Sequence, residues 1–212
     1  MKNKKLIIAC DGEAASGKST GAKLISKKYK LLLINSGLLY RYACKLVIKE
    51  KPKKIIPFLN KKLKNINYKK ISKINLHTQN IDKMVGPLAK LKKVRLIMKK
   101  LQKKLIKNNK RICVEGRDIA STILKKNPKY DVAFYFKCNL KVASYRRWID
   151  LKKKIPLKFV KNSLRERTKM DKTRVHSPLK KMKDAHLIRS DILTKKEMVM
   201  KMCKIIEAKK IN

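Results

Sequence analysis

Gly12-Glu13-Ala14-Ala15-Ser16-Gly17-Lys18-Ser19, with Thr20 behind it, is the stretch on which the reading turns. Its spacing is G-x-x-x-x-G-K-[ST] without a gap, the pattern of a loop that wraps a polyphosphate. Such a loop turns successive backbone N–H groups inward, and its glycines supply the dihedrals and the close approach this needs. Lys18 would reach the β- and γ-phosphates of ATP or GTP, and the Ser19 hydroxyl would ligate Mg²⁺. The flanking sequence agrees. Lys5–Cys10 precedes the loop as a buried strand, and a helix from about Lys18 follows it, with Ala22, Ile25 and Tyr29 at helical spacing. The positive end of that helix would point at the same phosphates. With six glycines in 212 residues, composition alone produces this pattern in about half a percent of chains or fewer.

Outward from the loop, short apolar runs alternate with amphipathic segments, which predicts an α/β fold of the P-loop NTPase type: an open parallel β-sheet flanked by helices. Leu31–Ile34 reads as a second strand. It ends at Asn35-Ser36, a good N-cap pair for a helix through about Lys49. Arg111–Glu115 and Val132–Phe136 are further strands, and His186–Arg189 is a weaker fifth. Lys195–Ala208 closes the chain as a helix with Met198, Met202 and Ile205 on one face. Two regions break the alternation. Pro52–Asp82 is rich in Lys and Asn, with Ile71–Leu76 its best strand candidate, and reads as a small insertion. Leu151–Pro178 is dominated by basic residues, carries Pro156 and Pro178 near its ends, and reads as a mobile helical flap. No internal repeat is visible.

Composition bounds the rest. Hydrophobic residues make up 43% of the chain, enough for one domain with a sizeable core. Lys and Arg number 60 against 14 Asp and Glu, a net charge of +46. That balance suits a polyanion: nucleic acid, an anionic membrane or phosphorylated metabolites. The lysines are nevertheless spread along the whole chain in short runs, as compositional drift would leave them. Aromatic residues are 6% and do not interleave with the basic stretches, which argues against stacking-based recognition. Nucleic acid stays open as a non-specific partner. The apolar run Leu6–Cys10 is too short for a signal-peptide core, and no run approaches a membrane helix of about 20 residues. Five widely spaced cysteines without a Cys-x-x-Cys pair, and three histidines without ligand spacing, predict a reduced, cytoplasmic protein with no zinc site.

Beyond the loop, an ordered set of segments resembles one family. Asn35-Ser36-Gly37-Leu38-Leu39-Tyr40-Arg41 is similar to the D-[ST]-G-x-x-Y-R segment of bacterial cytidylate kinases, and Glu115-Gly116-Arg117-Asp118-Ile119 to their [DE]-G-R-D-[IM]. Val94-Arg95 matches a V-R pair. Arg167 through Asp171 and Arg174, then Ser177-Pro178-Leu179, resembles their lid, R-D-x-x-D-x-x-R followed by A-P-L. These segments fall in family order over essentially the whole chain. The resemblance implies phosphoryl transfer from ATP, with Mg²⁺, to CMP or dCMP by a monomer. It implies ATP binding by Gly12, Glu13, Ala14, Ala15, Ser16, Gly17, Lys18, Ser19 and Thr20, with Ser19 on the metal. The acceptor would be held by Ser36, Arg41, Arg95, Arg117, Asp118, Arg167, Asp171 and Arg174. Lys18, Arg117, Arg167 and Arg174 would act at the reacting phosphates. It further implies a core of 1–36, 83–150 and 177–212, a monophosphate-binding insertion over about 37–82 and a lid over about 151–176.

The chemistry fits those residues independently of the family. Phosphoryl transfer between polyanions is mostly positioning and charge neutralisation, and the planar guanidinium binds phosphate oxygens in pairs. A chain that favours Lys so strongly still places Arg at 41, 95, 117, 167 and 174. Several positions depart from the family pattern. Glu13 stands for proline, Ser19 for glycine, Asn35 for aspartate, Thr168 for aspartate and Met170 for an arginine. Gly86 lies where a base-contacting serine is expected, and Arg189-Ser190-Asp191 replaces an acid-led D-[ST]-[ST]. Two other readings stay on the table: a P-loop kinase of another monophosphate, and a basic nucleic-acid-binding protein with a non-catalytic P-loop.

Overall fold

In a computed structural model the residues described are 4–211, with side chains to Lys209; the basic start at residues 1–3 lies outside them. Five strands form one sheet: β1 (Leu6–Gly12), β2 (Leu32–Asn35), β3 (Arg111–Gly116), β4 (Val132–Lys137) and β5 (His186–Arg189). Their order is β2-β3-β1-β4-β5, and β1 runs parallel to both its neighbours. Each of the five expected strands is present, shifted by a residue or two at the ends. Every residue of β1 is buried, as a central strand covered on both faces requires. The connection from β1 leads to β2 on one side of the sheet and that from adjacent β4 to β5 on the other, so their C-terminal ends flank a switch point of the kind where open α/β sheets bind ligands.

The chain divides into two compact units. The first, Met1–Ile34 with Asn109–Asn212, contains α1 (Lys18–Lys28), α7 (Leu140–Asp150), α8 (Leu157–Thr173) and α9 (Lys195–Ile211). Ala22 and Ile25 of α1 and Met198, Met202 and Ile206 of α9 pack with Ile8, Cys10, Phe134, Phe136 and Ile188 of the sheet. All five cysteines are buried free thiols, so each serves as a small core residue. A smaller apolar cluster joins Ala14 to Cys138, Ala143 of α7 and Val160 and Leu164 of α8, which seats the two basic helices.

The second unit, Asn35–Asn108, is helical: α2 (Ser36–Glu50), α3 (Ile55–Lys62), α4 (Tyr68–Ile71), α5 (Gln79–Lys90) and α6 (Lys92–Lys107). Asn35 caps α2 as expected, its side chain accepting from Leu38 N at 2.9 Å. The strand expected at Ile71–Leu76 is absent. Asn67 caps a short helix there by accepting from Lys70 N, and Ser72 N and Ile74 N continue in turns onto Tyr68 O and Ile71 O. Ile71 and Leu76 are apolar because they anchor this turn in the helical core, where both are buried.

Candidate active site

The loop after β1 is shaped by backbone. Gly17 has φ +73° and Ala15 φ +52°, left-handed dihedrals that turn amide groups toward a common centre. A Cβ on Gly12 would lie 2.5 Å from the carbonyl oxygen of Phe136, so that position has no room for a side chain. Ser16 Oγ donates to Glu13 O at 2.9 Å and closes the loop on itself. Gly17 ends the loop as the N-cap of α1, and Lys18 and Ser19 are its first residues.

Lys18 is buried beside the end of β3, its Nζ 3.9 Å from Glu115 Oε1. Burial pulls its ammonium down to about 8; Arg117 and Arg167 add to that fall, while Glu115 and Asp11 oppose it. Desolvation and two neighbouring arginines penalise this ammonium beyond what Glu115 and Asp11 restore, and a bound phosphate would relieve that cost. Ser19 Oγ donates to the same Glu115 oxygen at 2.8 Å. The other oxygen, Oε2, is buried and has no hydrogen-bond partner among the described residues. Asp11, one residue before the loop, is 2% exposed and accepts from Ile119 N and Ala120 N, both at 2.8 Å. Burial pushes its carboxyl up to about 6 against those two bonds, with Asp118 adding to the rise.

Arg117 and Asp118 follow β3 and meet the far end of α8. Arg117 Nε donates to Asp171 Oδ2 at 2.7 Å, and Arg174 Nη1 lies 3.2 Å from Asp171 Oδ1. Arg174 Nη2 lies 3.6 Å from Asp118 Oδ1, and its Nε donates to Ser177 O at 2.7 Å. Asp171 thus orients two arginines at once, and Arg117-Asp118 is no isolated surface pair. Arg167 stands exposed on α8, close enough for its charge to bear on Lys18. The structure therefore gathers Lys18, Ser19, Arg117, Asp118, Arg167, Asp171 and Arg174 around the end of β1 and β3.

Glu13 does not aim a bare carboxylate at the loop: its Oε1 is 2.7 Å from Lys172 Nζ of α8. One turn earlier on α8, Thr168 Oγ1 accepts from Ala14 N at 3.4 Å. Thr20 is exposed on α1. At the last strand, Arg189 holds Asp191 through two bonds of 3.0 and 2.7 Å and pulls its carboxyl down to about 2.

In the second unit, Ser36, Arg41 and Arg95 are all buried. Ser36 Oγ has no hydrogen-bond partner among the described residues. Arg41 Nη1 donates to Leu76 O at 3.1 Å, and its Nη2 pairs with Asp82. Arg95 Nη1 donates to Ala89 O at 3.3 Å. A Cβ on Gly86 of α5 would meet nothing within 4 Å.

The sequence profile described as cytidylate kinase matches residues 8–208. The chain belongs to the cytidylate kinase family. It is 32% identical to the cytidylate kinase of Lactococcus lactis over 92% of this chain and 94% of that protein. Identity to the Fusobacterium nucleatum cytidylate kinase is 33% over 95% of this chain and 97% of that one. Among solved structures, shikimate kinase from Bacteroides thetaiotaomicron superposes with a TM-score of 0.51 at 10% identity, covering 95% and 98% of the two chains. That likeness concerns the fold, which is that of P-loop kinases.

Within this cytidylate kinase fold, four residues took no role in the sequence reading. Glu115 was quoted in its motif without a task, though a carboxylate closing the strand beside β1 is placed for the Ser19 hydroxyl. Asp11, Thr168 and Lys172 act across 108, 154 and 159 residues of sequence, separations at which local spacing carries no signal.

Proposed function

We propose that this chain catalyses ATP + CMP → ADP + CDP, accepts dCMP as well, and works with Mg²⁺ as a cytoplasmic monomer. The observation that carries this reading is the juxtaposition of a triphosphate loop with a four-membered charge network, Arg117–Asp171–Arg174–Asp118, at one end of the sheet. Arginines held in place by carboxylates beside a phosphate loop are what positioned phosphoryl transfer needs. Lys18 neutralises the β- and γ-phosphates, and backbone amides of residues 13–19 cradle them. Arg117, Arg167 and Arg174 neutralise the transferred group, and Asp118 and Asp171 orient the acceptor. Within the second unit, Ser36, Arg41 and Arg95 are assigned to nucleoside monophosphate binding.

Residues at the start of α1 and the end of β3 fit a magnesium ion. Ser19 Oγ and the unbonded Glu115 Oε2 are hard oxygen donors, and Mg²⁺ takes one or two such protein ligands with phosphates and waters completing its shell. When bound, the ion would supply charge neutralisation to the phosphates. No helix among the described residues is long and apolar enough to cross a membrane.

The test is ADP release with ATP and Mg²⁺, offering CMP, dCMP, UMP, AMP and GMP in parallel. Turnover confined to CMP and dCMP is the expected result. Preference for another monophosphate would keep the loop chemistry and relocate the error to the base pocket, where Gly86 offers no side chain. Absence of turnover in a protein that still binds ATP would favour the polyanion reading, whose binding weakens steeply with added salt.

A further inference from the structure

Asp118 occupies the N-cap position of the single π-helical turn Ile119–Ile123 yet makes no side-chain cap bond. An aspartate there would ordinarily turn back and accept from the first free amides of its own turn. Ala120 N, one of those amides, and its neighbour Ile119 N are instead taken by the two carboxylate oxygens of Asp11, which reaches across from β1. The Asp118 carboxylate lies 3.6 Å from Arg174 Nη2. Backbone bonds from Thr122 N and Ile123 N to Asp118 O fix the main chain of the same residue.

We infer that Asp11 is a positioning residue for the acceptor: by capping the 119–120 turn from outside, it sets the placement of Arg117 and Asp118, which lead into that turn. This rests on the acceptor roles proposed above for Arg117 and Asp118. Asp11 sits beside Gly116 in the β1–β3 register and is followed directly by Gly12. One residue therefore ties the start of the donor loop to the turn that carries two acceptor contacts. Both sites are held to one frame, as in-line transfer requires. A burial of this kind disfavours the charged carboxylate, and the pair of short N–H bonds is what keeps it anionic at neutral pH.

Asp11→Asn keeps the size but replaces one acceptor oxygen with an NH₂ that faces an N–H. The turn shifts, and kcat/KM for CMP falls on the order of tenfold to a hundredfold, while the KM for ATP changes far less. Equal losses on ATP and CMP, or no loss, overturn the inference. Arg117→Ala and Asp118→Ala are assayed alongside. If they leave the KM for CMP unchanged, the acceptor reading has failed. If they raise it and Asp11→Asn does not, the positioning role has failed. Combining Asp11→Asn with Asp118→Ala should cost less than the product of the two single losses, because Asp11 acts through that residue. Should Asp11→Asn fail to fold, amide exchange on the wild-type protein still decides: Ile119 and Ala120 amides are protected without nucleotide, and free exchange there refutes the cap.

Discussion

The two halves of the phosphate site are built on different physical plans. The loop at 12–19 is a backbone device, in which shape comes from left-handed dihedrals at Ala15 and Gly17 and from the absence of a side chain at Gly12. The turn at 117–118 and the end of α8 form a side-chain device, in which Arg117, Asp171, Arg174 and Asp118 hold one another by charge. A backbone cradle fails when its frame is displaced. A charge network loses function in steps as members are removed, and it responds to ionic strength. Lys18 belongs to both: its backbone opens α1, and its ammonium feels Arg117 and Arg167.

That contrast is sharpest at Lys18→Ala. The backbone of the loop survives the change, so circular dichroism and ATP-free melting should be near wild type. Turnover should fall on the order of a hundredfold to a thousandfold or more, because Lys18 is the cation assigned to the β- and γ-phosphates together. Wild-type activity in this variant would mean that the site is assigned to the wrong residues.

Asp171→Asn attacks the other device. Removing one partner of a buried pair costs about 3–5 kcal/mol in stability, but here the side chains of Arg117 and Asp171 each keep 17% exposure and water shares the load. The loss should appear as function: kcat/KM for CMP down about tenfold to a hundredfold with a modest drop in melting temperature. A double-mutant cycle with Arg117→Ala should show strong non-additivity, since Asp171 acts by orienting that guanidinium.

The loop announced itself in sequence because backbone devices depend on glycine and lysine at fixed local spacing. The strands were legible for a similar reason, as was the Asn35 cap, whose bond spans three residues. The turn at Ile71–Leu76 was misread because a short apolar run without a neighbour strand can as well anchor a capped helical turn. The charge network was visible as residues yet not as pairs. Nothing in the spacing of Arg117 and Asp171 says that they meet, and the whole-chain excess of lysine hides which cation matters. Glu13 looked like a liability beside a triphosphate until Lys172 came within 2.7 Å of it.

Proton linkage gives a third, smaller effect on the same comparison. With the Lys18 ammonium lowered to about 8 by burial first and Arg117 next, the nucleotide-free protein is partly neutral at that site near pH 8. Bound triphosphate favours the charged form and raises it again. ATP binding near pH 8 should therefore take up a fraction of a proton, and the KM for ATP should climb as pH rises past 8, by about tenfold at most per unit. Calorimetry in two buffers of different ionisation enthalpy measures the uptake. A binding enthalpy independent of buffer would show that Lys18 is already charged in the free protein.

Glu13 and Lys172 test whether the backbone device is indifferent to side-chain charge. The ion pair is half exposed on the lysine side, so it stabilises by about 1 kcal/mol or less, which corresponds to roughly fivefold in an affinity. Its two members should nevertheless act in opposite directions on ATP. Glu13→Gln leaves Lys172 beside the phosphates without its counter-charge, and the KM for ATP should fall. Lys172→Met leaves the carboxylate uncompensated at the mouth of the loop, and the KM should rise. The double variant should return close to wild type, and each single effect should shrink as salt is added, because exposed charges are screened over about 10 Å at 0.1 M. If both single variants instead raise the KM alike and salt does nothing, Glu13 serves the shape of the loop, and the division between a backbone cradle and a charge network is cleaner than the ion pair suggests.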